Sequence, residues 1–84
     1  MQTHAEETHT ISIFISNSLE SDIVFHLEPW GDQIPMPTGM QFRVVGTGPK
    51  SGQFEIEVCQ DKIVVYGWVG SRVVVFRGET LVAS

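Results

Sequence analysis

The sequence predicts an all-β domain: an antiparallel β-sandwich or a partly open barrel of six or seven short strands. Three observations carry this. Apolar residues recur with a period of two almost everywhere, as on half-buried strands. Turn-forming Gly, Pro, Asn and Asp return at spacings of roughly ten residues, the rhythm of sandwiches and small barrels. No stretch long enough for a helix shows a helical period, and no longer repeat is visible.

The elements follow in order. Residues 1–9 carry no period and read as a mobile tail, so the domain is expected over residues 10–84. A first strand, Thr10–Ser16, alternates Ile11, Ile13 and Ile15 with Thr10, Ser12 and Ser16; only Phe14 interrupts the polar face. The turn-rich link Asn17–Asp22 leads to a second strand, Ile23–Glu28, with Ile23, Phe25 and Leu27 on one face. Pro29 stops that strand or marks it as an edge. Residues 29–39, with Pro29, Pro35, Pro37, Gly31 and Gly39, read as a structured loop.

A third strand, Met40–Val45, is followed by a flexible turn from Gly46 to Gly52. The fourth, Gln53–Cys59, has the cleanest alternation: Phe54, Ile56 and Val58 are expected inward, Glu55 and Glu57 outward. Gln60-Asp61-Lys62 closes a hairpin to a fifth strand, Ile63–Trp68, and Gly70-Ser71 suits a type II′ turn into a sixth, Arg72–Phe76. Gly78-Glu79 repeats that turn chemistry before a short closing strand at Leu81-Val82. Short links predict antiparallel neighbours. The fifth and sixth strands are apolar on both faces, which requires a second layer or a subunit interface there. An edge left exposed would pair with another chain.

Composition narrows the function. The 84 residues hold one core, and at 42% hydrophobic the chain is too apolar for disorder. A core this small leaves a margin of roughly 3–5 kcal/mol, which assembly would raise. A net charge of −5, with Arg43, Lys50, Lys62, Arg72 and Arg77 scattered singly, argues against nucleic acid. Cys59 is the only cysteine, so no internal disulfide forms. The acidic N-terminus lacks a signal-peptide pattern, and the longest apolar runs, Ile63–Tyr66 and Val73–Phe76, are far short of a membrane span. A cytoplasmic protein with no membrane partner is the simplest reading, although a mature chain freed of its signal peptide would read the same.

Each chemical candidate has a plainer reading beside it. His26 and Glu28 leave one face of the second strand and, with His4, His9 or Asp32, are weak candidates for a metal site; two ligands do not define one. An ordinary polar face with a hydrogen bond or ion pair is the favoured reading of them. Cys59 lacks the downstream His of a copper site and the adjacent base of a nucleophile. Glu55 and Glu57 have the types of a carboxylate pair but sit where an amphipathic strand places charges anyway, within reach of Arg43 across a hairpin. Gly46, Gly48 and Gly52 feed a strand rather than a helix, which excludes a phosphate loop. Trp30 either caps the small core or anchors a partner. Tyr66 and Trp68 share a face of the fifth strand by spacing and could join it.

The run Leu27-Glu28-Pro29-Trp30-Gly31, the Pro37-Thr38-Gly39 triplet and the Ile63–Tyr66 and Val73–Phe76 strands resemble a group of short uncharacterised bacterial proteins over residues 10–82. The resemblance implies no activity and no functional residue. The strand pattern is also similar to cupredoxin-like and immunoglobulin-like domains, a likeness of fold alone. The expected function is that of a non-enzymatic interaction or assembly module without a cofactor, binding itself or another protein. Trp30, Tyr66, Trp68 and Phe76 are the candidate binding residues, with Val74 beside them. The alternatives are a small-ligand or carbohydrate binder using Trp30, Tyr66 and Trp68, and a metalloprotein or small hydrolase built on His26 and Glu28.

Overall fold

The alternation seen in the sequence becomes two packed sheets. A computed structural model describes residues 7–83. Every regular element in it is a strand: β1 (Thr8–Ser16), β2 (Ile23–Glu28), β3 (Asp32–Met36), β4 (Gln41–Pro49), β5 (Glu55–Val58), β6 (Lys62–Tyr66), β7 (Arg72–Arg77) and β8 (Thr80–Ala83). One four-stranded sheet has the order β1-β4-β7-β8 and the other β3-β2-β6-β5. The domain is a small sandwich rather than a closed barrel.

Core-facing residues follow the pleat. Ile13 and Ile15 of β1, Phe42 and Val44 of β4 and Val73 and Val75 of β7 meet Phe25 and Leu27 of β2, Val65 of β6 and Met36 of β3. The Phe25 and Phe42 rings touch edge to face across the two sheets, with centroids 5.3 Å apart, a favoured aromatic geometry. Asn17 is the one buried polar side chain among the described residues. Its Nδ2 donates to the carbonyls of Met36 (2.8 Å) and Ser21 (3.0 Å), and its Oδ1 accepts from the Leu19 amide (2.9 Å). Burial is tolerated because every polar atom of the amide has a partner. Asn17 thereby ties the end of β1 to the end of β3.

Several expectations need correction. The described residues form eight strands, because residues 32–36 form β3 inside the stretch read as loop. Pro35 masked that strand, yet β3 lies at a sheet edge, where a missing donor costs no ladder bond. Thr8 and His9, assigned to the tail, begin β1 opposite Pro49 and Gly48; Met1–Glu6 lie outside the described residues. The presumed flexible turn at Gly46–Gly52 is largely strand, since β4 continues to Pro49.

The turn after Trp68 is not a hairpin. β6 and β7 belong to different sheets, and the Ser71 amide donates to the Trp68 carbonyl at 2.9 Å. Gly70 is therefore the second central residue, with φ +81°, as a type II turn requires. Gly78, by contrast, is the first central residue of a tight β7–β8 hairpin, with φ +60°, as its chemistry predicted. β2 and β6 pair in parallel, because the chain leaves for the other sheet and returns between them. The remaining strand pairs are antiparallel. Among the described residues no helix is long and apolar enough to cross a membrane.

Candidate interaction surfaces

The aromatic residues singled out by sequence do not form one platform. Trp68 turns between the sheets at one end of the sandwich. Its ring meets His9 and Phe54 edge-on, at centroid distances of 5.7 and 5.2 Å, and its Nε1 donates to the Pro49 carbonyl at 2.9 Å. Gly46, Gly48 and Gly52 make the bed for this ring. A Cβ added at Gly52 would lie 1.7 Å from Trp68 Cδ1, and one at Gly46 2.9 Å from Cζ3. The glycines that superficially suggested a phosphate loop are a shelf for an indole. Their spacing in β4 held the signal: glycines two apart share a face and leave it flat.

Tyr66 points the other way. It lies on the outer face of the β3-β2-β6-β5 sheet, where its hydroxyl donates to Glu57 Oε1 at 3.3 Å. Desolvation raises the phenol above its ordinary range, and the nearby carboxylates of Glu57, Glu55 and Glu28 add to the rise. The expectation that Tyr66 and Trp68 share a face fails because β6 ends at Tyr66, so Trp68 lies outside the strand and its alternation. His26 and Glu28 share this outer face by strand parity. Among the described residues no group of three His, Cys, Asp or Glu side chains stands where it could hold a metal ion.

Trp30 follows a cis Glu28-Pro29 bond and is 43% exposed. Its ring lies against Gly67, where an added Cβ would come within 2.6 Å of Cη2. It neither caps the core fully nor stands free. It forms one wall of an open cleft of about 280 Å³ whose other wall is Ser71, Arg72, Val73 and Val74 at the start of β7.

Phe76 and Val74 belong to a third surface, the outer face of the β1-β4-β7-β8 sheet. Registers place Phe14, Arg43, Phe76 and Leu81 in one row across that face, with Ser12, Val45 and Val74 in the next. The Arg43 guanidinium stacks over the Phe76 ring at 4.6 Å. Arg43 is therefore not the partner of Glu55 or Glu57; a sheet change separates β4 from β5.

The surface that the sequence concealed is the long open side between β1 and β5. Contact between β3 and β8 closes the opposite side. On the open side β1 bears the core-facing His9, Ile11, Ile13 and Ile15, all half-buried. Ile56 and Val58 of β5 pair with Val65 and Ile63 and so face the same interior, yet they are 45% and 77% exposed. Their expected inward orientation holds, and their expected burial does not. β1 and β5 run the same way along this side. His9 Nε2 meets the Gly52 carbonyl at 3.0 Å just before β5. At the other end Ser16, Leu19, Val58, Cys59 and Ile63 line a mostly apolar hollow of about 320 Å³. No protein-family model, curated protein or solved structure matches the chain.

Proposed function

We infer that the chain is a non-enzymatic interaction module that assembles with copies of itself through its sheet surfaces. The observation that supports this best is the open β1–β5 side. Ile56 and Val58 present apolar side chains toward a core that does not reach them. Covering that area would stabilise a domain of this size by several kcal/mol at about 25 cal/mol per Å², before the cost of association. The exposed Phe14 and Leu81 on the neighbouring sheet face enlarge the apolar surface.

Light scattering on a size-exclusion column, over a hundredfold range of protein concentration, tests the reading. A mass of two or more chains that falls on dilution is expected. A single-chain mass throughout would remove it.

One observation favours a second reading, a small ligand stacked on Trp30. The cleft beside that ring sets Trp30 against Ser71, Arg72, Val73 and Val74 in one place. Because Trp68 is sheltered in its glycine bed, Trp30 is the tryptophan that a ligand would quench. A fluorescence screen with sugars and small planar anions should show saturable quenching that Trp30→Phe abolishes. A flat response across the panel would discard this reading.

A further inference from the structure

We propose that β1 is the self-pairing edge: two copies join antiparallel, β1 to β1, about a two-fold axis through Ser12. This rests on the assembly reading above and names its interface. The partner is a second copy of this chain.

The four sheet edges differ in how they are guarded. β3 carries Pro35 and Asp32, β5 carries Glu55 and Glu57, and β8 has only four residues and a register shift against β7. Prolines, charges, shortness and bulges are the devices that keep edges from pairing. β1 has none of them. It is nine residues long, pairs with β4 without interruption, and contains no Asp, Glu, Lys, Arg, Pro or Gly. No described strand covers its other side.

The direction of its free backbone groups follows from bonds at its two ends. The Lys50 amide donates to the Glu7 carbonyl at 2.7 Å. At the far end the Asn17 amide donates to Met40 and its carbonyl accepts from Gly39. Glu7 and Asn17 both turn toward β4, and direction alternates along an antiparallel strand. The odd-numbered residues of β1 therefore bond to β4. Thr8, Thr10, Ser12, Phe14 and Ser16 direct their N–H and C=O groups to the open edge.

A two-fold axis at Ser12 uses all of these groups. Ser12 faces the second copy's Ser12, Thr10 faces Phe14, and Thr8 faces Ser16. On the inner face Ile11 meets the second copy's Ile13, and His9 meets Ile15. No like charges become neighbours. This register separates β1 from β5: pairing β5 with its copy would set Glu55 and Glu57 beside the same residues of the other chain. The two joined sheets extend the core-facing surface across both copies, and the open sides carrying Ile56 and Val58 then lie next to each other.

The test is a charge swap at the axis. Ser12→Lys and Ser12→Glu each place like charges opposite one another in a homodimer, which should weaken it by about two- to fivefold. An equimolar mixture should regain the dimer mass, because Lys then faces Glu. Ser12→Pro removes a donor that points to the open edge and leaves the ladder to β4 intact, so it too should give single chains. If that variant does not fold, the Lys and Glu variants decide the matter. A dissociation constant unchanged in both charged variants, or a mixture that associates no more tightly than either variant alone, would overturn β1 as the interface and leave the assembly reading standing. A wild-type protein that is a single chain at every concentration would remove both.

Discussion

The two long sides of this sandwich are built from the same kind of strand and end differently. On the β3–β8 side Met36 is fully buried, and Ile34, Val82 and Ala83 pack against the core. On the β1–β5 side Ile56 and Val58 point to the interior and stay in solvent. Alternation states which face a residue takes. It does not state whether an opposing strand covers that face. The closed side is where the chain satisfies itself, and the open side is where it has apolar surface to spare.

The largest test of that contrast is Met36→Ala. Truncating a fully buried side chain on the closed side should lower stability by about 2–5 kcal/mol, read as a shift in urea midpoint with an unchanged slope. A loss below about 1 kcal/mol would mean that this side is looser than it looks. Next comes Asn17→Ala, at the joint between the two sides. It removes the donors to Met36 and Ser21 and the acceptor for Leu19, leaving buried backbone groups unpaired. A cost of about 2–3 kcal/mol is expected, with faster amide exchange at the end of β1.

On the open side the same class of change should hardly register. Val58→Ser is expected to alter single-chain stability by no more than about 0.5 kcal/mol, while weakening any self-association seen by light scattering. A cost as large as that of Met36→Ala would show that Val58 is covered in solution even in the single chain.

The smallest effect concerns Tyr66, the only tyrosine. Its raised phenol pKa means that the folded state holds the proton more tightly than the unfolded chain does. As pH climbs through the ordinary tyrosine range, the unfolded state ionises first and stability falls; below that range the proton is bound in both states and the group is neutral to folding. Phenolate absorbance should give a midpoint above that of free tyrosine, and Glu57→Gln should lower it. A midpoint that Glu57→Gln leaves in place would remove the carboxylate from the explanation.

Much of the architecture was legible because side-chain period and turn chemistry are local. The Ile11, Ile13 and Ile15 face, the Phe25 and Leu27 face, the β5–β6 hairpin and the Gly78 turn all follow from neighbours within a few residues. β3 escaped because Pro35 is a strand breaker except at an edge, and edge position is not a local property. The candidate site was less legible. Trp30, Tyr66, Trp68 and Phe76 look like one aromatic group in the sequence, and the fold sends them to a cleft, an outer face, the core's end and the opposite outer face. The spacing of the β4 glycines marks a flat face, and only the fold shows that Trp68 lies on it.

The sequence by itself determined that this is an all-β chain and which face of each strand is apolar, and it placed the excess of apolar surface on the strands at Ile63–Trp68 and Arg72–Phe76, where Val64, Val65, Val73 and Val75 are in fact buried. Tertiary structure alone decided which sheet each strand joins, that β2 and β6 run parallel, and that the excess lies along β1 and β5. The reason is physical. Pleat and turn preferences act over a few bonds, whereas coverage depends on which strand from far along the chain arrives opposite, and β5 meets no described strand that buries it.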